Sequence, residues 1–162
     1  MNTDCIEKKI LLRAPRERVW RALSDSAEFG TWFGLKFDGP FVAGQSVRGV
    51  LVPTTVDPEV GKLQEPHAGT AFEIKIETIE PERLLAFRWH PHAVDAAKDY
   101  SAEPMTLVAF QLEEAAEGLQ LTLTECGFDQ IPLERRAQAF AANDGGWTIM
   151  VSVIEKYVSD TR

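Results

Sequence analysis

The sequence predicts an α+β fold in which a curved antiparallel sheet of about six to seven strands wraps around a long C-terminal helix. Between Ser46 and Cys126, apolar and polar residues alternate in successive short segments, as in half-buried antiparallel strands. Between Pro132 and Tyr157, apolar residues instead recur at helical spacing. A twisted sheet of this size curls, and this helix is the only long amphipathic element available to cover its concave face.

Length and composition indicate one domain spanning residues 1–162, large enough to form a core without metals or disulfides. The net charge of −8 excludes the electrostatic footprint expected of a nucleic-acid or anionic-membrane binder. Neither a signal peptide nor a stretch long and apolar enough to span a membrane is evident. The sequence therefore predicts a cytoplasmic protein.

The N-terminal third begins with a strand over Cys5–Leu12, which alternates imperfectly. Pro15 suits the first turn of a helix, where its missing N–H costs nothing. Asp25 or Ser26 is a suitable N-cap for a second short helix that ends near Trp32. The order predicted here is one strand followed by two short helices.

Five further strands are predicted from alternation and from the turn residues between them. They cover Ser46 to Val52, Thr70 to Ile79, Leu84 to His90, Met105 to Glu113 and Leu119 to Cys126. Residues 53–66 and 91–104 lack periodicity, and both segments are predicted to be loops.

The C-terminal helix has a predicted buried stripe that includes one charged residue. The stripe consists of Leu133, Ala137, Phe140, Asp144, Trp147, Val151, Ile154 and Val158. Two adjacent glycines, Gly145 and Gly146, should cost the helix about 2 kcal/mol relative to alanine. The two glycines indicate either that another part of the backbone packs closely against the helix at this point or that the helix borders a cavity.

Several motifs in this order resemble one family. Residues 14–25 (APRERVWRALSD), Trp32-Phe33-Gly34, Phe87-Arg88-Trp89, residues 121–128 (LTLTECGF) and Gly145-Gly146-Trp147 are similar to the START/Bet v 1-like superfamily. Within it, they resemble the branch called activator of Hsp90 ATPase homologue 1-like. The resemblance covers nearly the whole chain and implies a helix-grip fold, although one fold hosts many functions.

The resemblance implies several kinds of activity. The superfamily includes lipid or sterol carriers, polyketide cyclases and stress-related proteins. The eukaryotic co-chaperone that gives the branch its name carries an additional N-terminal domain, for which 162 residues leave no room. Co-chaperone activity is therefore not the first expectation.

Two carboxylates are the candidate catalytic residues. If Leu119, Leu121 and Leu123 face the hollow of the sheet, the strand period places Glu125 there too. Asp144 projects from the helix stripe toward the same space. A carboxylate at the rim of an apolar cavity can act as acid or base, or hold a ligand hydroxyl or amine. Alternatively, Glu125 and Lys8 pair with each other on adjacent strands.

The predicted ligand-binding residues are mostly aromatic, since small-molecule sites are typically apolar clefts with few polar groups. They are Trp32, Phe33, Phe72, Phe87, Trp89, Phe110, Glu125, Phe140, Asp144, Trp147 and Met150. The alternative for each aromatic residue is an ordinary place in the core.

Histidine and cysteine give weaker signals. His90-Pro91-His92 lies in a predicted loop without a fixed face, and no metal or other cofactor is expected. Cys5 and Cys126 are expected to be reduced thiols. The resemblance implies that their strands pair antiparallel, which would place the two thiols close together on the outer face and allow oxidative pairing.

The predicted function is binding of a small hydrophobic or aromatic molecule between sheet and C-terminal helix. One alternative is a cyclase- or hydrolase-like enzyme that uses Glu125 or Asp144 as general base. Another is a chaperone-associated role, which predicts an exposed apolar patch, for example on residues 53–66 or 91–104, and no internal cavity. A homodimer is a further open alternative.

Overall fold

The computed structural model describes residues 3–93 and 97–159. The strands are β1 (Cys5–Leu12), β2 (Leu35–Phe37), β3 (Ser46–Leu51), β4 (Ala71–Glu80), β5 (Leu84–Trp89), β6 (Thr106–Ala115) and β7 (Gly118–Cys126). The helices are α1 (Arg16–Ser24), α2 (Ser26–Phe33), α3 (Pro58–Gln64) and α4 (Leu133–Ser159). Short 3-10 helices cover Glu65–His67 and Phe128–Gln130.

The seven strands form one antiparallel sheet in the order β1-β7-β6-β5-β4-β3-β2. The first strand therefore pairs with the last, and their register runs without a break from Cys5 opposite Cys126 to Leu12 opposite Leu119. This pairing places the N-terminal strand at one edge of the sheet, next to the C-terminal strand.

The long helix α4 lies against β1, α1 and α2, and it buries Trp147, Ile154 and Val158 in the core. The curved sheet with a long C-terminal helix confirms the predicted helix-grip α+β fold. No helix among the described residues is long and apolar enough to span a membrane.

Two elements are missing from the sequence-based prediction. The segment predicted as loop 53–66 contains α3, whose N-cap Asp57 accepts bonds from the backbone N–H groups of Glu59 and Val60. Pro58 occupies its first turn, so the local signal was present but seven residues are too few to show periodicity. The strand β2 has only three residues, Leu35, Lys36 and Phe37, too few for their alternation to be distinctive.

The N-terminal half of the predicted helix stripe is only partly buried, with Phe140 packed against Phe128. Leu133 is 76% exposed and Ala137 is exposed, whereas Ala139 is completely buried. The buried face instead passes through Ala139 and Asn143 before it reaches Trp147. Since one helical turn has 3.6 residues, steps of three and four both fit the sequence, and only the tertiary packing decides between them.

The two cysteines form a disulfide between β1 and β7. Cys5 and Cys126 face each other directly, with their Cα atoms 4.1 Å apart. This confirms the proximity that the family resemblance implied, but the expectation of two reduced thiols is wrong for this structure. The bond joins residues 121 positions apart.

Candidate functional site

A buried carboxylate with four hydrogen-bond donors lies beneath the candidate site. Glu125 is completely buried, and its Oε1 accepts bonds from Trp147 Nε1 at 2.8 Å and Asn143 Nδ2 at 2.9 Å. Its Oε2 accepts from Trp89 Nε1 at 2.8 Å, Thr106 Oγ1 at 2.6 Å and Asn143 Nδ2 at 3.1 Å. The carboxylate thus ties β5, β6 and α4 to the end of β7.

The main effect of Glu125 is to fix two indole rings. Because an indole N–H can only donate, each ring is held by one carboxylate oxygen. The rings of Trp89 and Trp147 stack with their centroids 5.7 Å apart. Phe33 meets both of them edge-on, at 6.1 and 5.6 Å. Three aromatic side chains from three elements are therefore held in one rigid group.

This aromatic group borders a cavity of about 240 Å³, which we call the aromatic pocket. Elements α2, α3, β5 and α4 contribute its wall. The lining residues are Phe33, Val60, Leu63, Gln64, Trp89, Asn143, Gly146, Trp147, Ile149 and Met150. The wall is mostly hydrophobic, as in small-molecule sites.

One of the two adjacent glycines in α4 is explained by this pocket. A Cβ atom built on Gly145 or Gly146 would meet no atom within 4 Å, so no other backbone packs closely against the helix at either glycine. Gly146 lines the aromatic pocket, whereas Gly145 is exposed and does not. Of the two explanations offered by the sequence, the structure supports the helix that borders a cavity.

A second cavity of about 710 Å³, the outer cavity, lies next to the aromatic pocket and shares Phe33, Trp89 and Asn143 with it. Its wall is more polar. The other lining residues are Leu35, Leu51, Thr70, Ala71, Phe72, Glu73, His90, His92, Ala93, Lys98, Tyr100, Ser101 and Met105. The shared residues place Asn143 at the junction of the two cavities.

Two histidines, His90 and His92, line the outer cavity. A ring nitrogen of His90 lies 3.1 Å from the backbone oxygen of Glu103. Burial lowers the pKa of His92, and the positive charge of Arg135 lowers it further. In the described part of the chain, the only cluster of three possible metal ligands is Asp4, Cys5 and Cys126, and the two sulfur atoms of that cluster are bonded to each other.

The suggested pairing of Lys8 with Glu125 is wrong. Lys8 Nζ lies 2.8 Å from Asp144 Oδ1, and the Asp144 side chain is 49% exposed. Lys8 is opposite Leu123 in the β1–β7 register, so its long side chain reaches α4 instead. Asp144, one of the two candidate carboxylates, therefore forms a surface ion pair and lines neither cavity.

The other predicted site residues are distributed between cavity and core. Phe33, Trp89, Trp147 and Met150 line the aromatic pocket, and Phe72 lines the outer cavity. The remaining residues line neither cavity: Trp32, Phe87 and Phe110 are each 1% exposed in the core, and Phe140 packs on Phe128. Glu125 lies behind the wall of the pocket.

Sequence reasoning missed Asn143 and Thr106 as members of this site. Asn143 precedes Trp147 by four residues, so both lie on one face of α4, and this spacing was a usable signal. Thr106 is at the first position of β6 and is completely buried. No local pattern distinguishes it from other strand threonines.

Arg135 of α4 anchors the segment between β5 and β6 near the outer cavity. Its Nε and Nη2 lie 2.8 and 2.7 Å from Glu103 Oε1, and its Nη1 donates to the backbone oxygen of Pro91 at 2.8 Å. Lys98 Nζ lies 3.0 Å from the other oxygen of Glu103. The hydrogen bond from Arg135 and the one from Lys98 hold the pKa of Glu103 below its ordinary value of 4.5.

A lowered pKa makes the stability of the folded state depend on pH. The contribution of Glu103 is complete above pH 4.5, its ordinary value, and is lost as the pH falls through the lower pKa of the folded state. We expect Glu103→Gln to lower the melting temperature at pH 7, and the difference from the wild type to shrink as the pH falls below this value. Melting curves recorded at intervals of about half a pH unit, from about pH 3 to about pH 7, test this prediction. Glu134→Gln on exposed α4 surface is the control, and a constant difference for Glu103→Gln would contradict the prediction.

Comparison with known proteins now identifies the family. The family model described as activator of Hsp90 ATPase homolog 1-like protein matches residues 13–159. The chain belongs to this family. With the fold described above, this places it in the activator of Hsp90 ATPase homologue 1-like branch of the START/Bet v 1 superfamily. A comparison with curated proteins finds no match.

Solved structures share the fold of this chain at low sequence identity. Protein MLL2253 from Mesorhizobium loti is 18% identical, with a TM-score of 0.70 and 98% of each chain covered. The Aha1 dimer from Colwellia psychrerythraea is 14% identical, with a TM-score of 0.64 and 95% of each chain covered. DynU16, a putative protein in the dynemicin biosynthetic locus, is 24% identical with a TM-score of 0.67. The match covers 97% of this chain but only 48% of DynU16, so the chain spans about half of that protein's length.

Proposed function

We propose that this protein binds a small hydrophobic or aromatic molecule in the aromatic pocket. The observation that carries the proposal is the rigid group of Phe33, Trp89 and Trp147 on the wall of a cavity of about 240 Å³. Burial of apolar ligand surface there supplies affinity at about 25 cal/mol per Å². Because Glu125 already orients the indoles, little side-chain freedom is lost on binding.

The geometry favours binding over turnover. Both oxygens of Glu125 accept hydrogen bonds from neighbouring side chains, and Glu125 lines neither cavity, so it is a positioning residue here. Asp144 is held by Lys8 at the surface. For the alternative of a cyclase- or hydrolase-like enzyme, any turnover that survives both Glu125→Gln and Asp144→Asn would remove these two carboxylates as general bases.

The two glycines of α4 provide a matched test of the proposal. Gly146→Leu places a side chain into the aromatic pocket, whereas Gly145→Leu places the same side chain in solvent. Both changes should stabilise the helix by up to about 1 kcal/mol. We expect naphthalene to bind the wild type and Gly145→Leu equally, and to bind Gly146→Leu at least about tenfold more weakly, which corresponds to about 1.4 kcal/mol.

Calorimetric titration with naphthalene measures these affinities. Native mass spectrometry of freshly purified wild type would also detect a small molecule that co-purifies with it. Equal naphthalene affinity in the two leucine variants would place binding outside the aromatic pocket, and no binding to the wild type would contradict the proposed function.

A protein-binding role, with a second copy of the chain or with a chaperone, is supported by two exposed apolar residues at the aromatic pocket. Leu63 on α3 is 65% exposed and Ile149 on α4 is 37% exposed. Leu63 lies in the segment 53–66, one of the two segments where this alternative predicts an apolar patch, but the alternative also predicts no cavity, and the aromatic pocket counts against it. A monomeric elution volume that is unchanged by Leu63→Ser, together with a pull-down that recovers no chaperone, would count against it.

A further inference from the structure

The orientation of one amide in the aromatic pocket follows from its neighbours. Asn143 can turn either its NH2 group or its oxygen toward Glu125. Both carboxylate oxygens already accept bonds from indole N–H groups, and they offer acceptor sites to Asn143 as well. Asn143 Nδ2 therefore faces the carboxylate, at 2.9 and 3.1 Å from its two oxygens.

The oxygen of the same amide is left as an open acceptor. Among the residues that the structure describes, none donates a hydrogen bond to Asn143 Oδ1. Asn143 Oδ1 is not among the buried side-chain atoms that lack a partner in the described ranges, so this unpartnered oxygen is accessible. Since Asn143 lines both cavities, this oxygen is available to a ligand at their junction.

The other polar groups of the aromatic pocket offer nothing comparable. Gln64 donates from Nε2 to the backbone oxygen of Phe33 at 2.8 Å, and its Oε1 accepts from the N–H of Thr54 at 2.8 Å. Within the described parts of the chain, no lysine, arginine or histidine lines this pocket. Behind the wall lies the carboxylate of Glu125, whose hydrogen-bond donors are all uncharged. Within the aromatic pocket a ligand therefore meets an acceptor and a buried carboxylate without a cation, and Lys98 of the adjoining outer cavity is held by Glu103.

We infer that the aromatic pocket selects ligands that carry a hydrogen-bond donor, such as a hydroxyl or N–H group on an aromatic ring, and that Asn143 Oδ1 accepts that bond. This inference rests on the proposed function and narrows it to a ligand class. An aromatic carboxylate is excluded, because it brings an acceptor and a negative charge to a site that already has both. Asn143 is a specificity-determining residue for the same pocket.

Four naphthalene probes separate this inference from the proposed function. Calorimetric titration of the wild-type protein compares 2-naphthol with naphthalene, 2-methoxynaphthalene and 2-naphthoate at pH 7. We expect 2-naphthol to bind about tenfold more tightly than 2-methoxynaphthalene, because only the naphthol can donate. We expect 2-naphthoate to bind more weakly than either.

Variants test the assignment to Asn143. The ratio of 2-naphthol to 2-methoxynaphthalene affinity should fall to about one in Asn143→Leu and keep its wild-type value in Gly145→Ala, which changes an exposed position outside the pocket. Equal binding of naphthol and methoxynaphthalene by the wild type, or a ratio unchanged in Asn143→Leu, overturns this inference while the proposed function stands. Failure of naphthalene and 2-naphthol alike to bind overturns both.

Discussion

Glu125→Gln should destabilise the protein by about 3 kcal/mol, although the two side chains have almost the same shape. Each oxygen of Glu125 accepts one indole N–H, from Trp89 or from Trp147. Glutamine retains one acceptor oxygen and directs its NH2 group at the other indole. Because indole cannot accept a hydrogen bond, that N–H loses its partner in a buried site. The expected fall in melting temperature is about 10 °C.

Chemical denaturation followed by tryptophan fluorescence measures this effect, since two of the reporting indoles lie at the site. The control is Asp144→Asn, which also neutralises a carboxylate but breaks only a half-exposed ion pair with Lys8. We expect that change to cost less than about 1 kcal/mol. If Glu125→Gln is as stable as Asp144→Asn, the carboxylate is not what holds the two rings.

Removal of the Cys5–Cys126 disulfide should cost about 4 kcal/mol. The bond closes a loop of more than a hundred residues, and in the chain-entropy model a loop of this length restricts the unfolded state strongly. The sheet register between β1 and β7 remains when the bond is broken, so we expect a folded but less stable protein. Denaturant midpoints with and without reductant give the difference.

The double variant Cys5→Ser/Cys126→Ser is the control for this experiment. It should match the reduced wild type in stability and should not respond to reductant. A wild-type midpoint that is the same with and without reductant would show that the thiols are not joined in solution. In a reducing compartment the dithiol form and its lower stability would prevail.

The sequence predicts most of the fold because alternation and helical spacing are strong in the long elements. Strand β1 has the predicted bounds, and Asp25 caps α2 by accepting from the N–H groups of Ala27 and Glu28. The short elements β2 and α3 escape this reasoning because they contain less than two full repeats of any pattern. Helix α3 matters for function, since it supplies part of the wall of the aromatic pocket.

The candidate site was only partly predictable. Strand period alone indicates that Glu125 points inward, and the structure places it there. Helical spacing does not show which of Asn143 and Asp144 faces the site, because these adjacent polar residues lie on either side of the stripe through Trp147. In the structure, Lys8 of β1 forms an ion pair with Asp144 at the surface, and Asn143 faces the carboxylate of Glu125. The contact between Lys8 and Asp144 joins two distant parts of the chain, so no local sequence pattern could predict it.

The aromatic pocket draws its wall from α2, α3, β5 and α4, so its occupant would touch the gripping helix and the sheet together. Ligand binding and helix docking are then thermodynamically linked. A ligand at one hundred times its dissociation constant stabilises the folded state by about 2.7 kcal/mol. The backbone amides of α4 would gain hydrogen-exchange protection in the same proportion wherever their exchange requires the helix to leave the sheet.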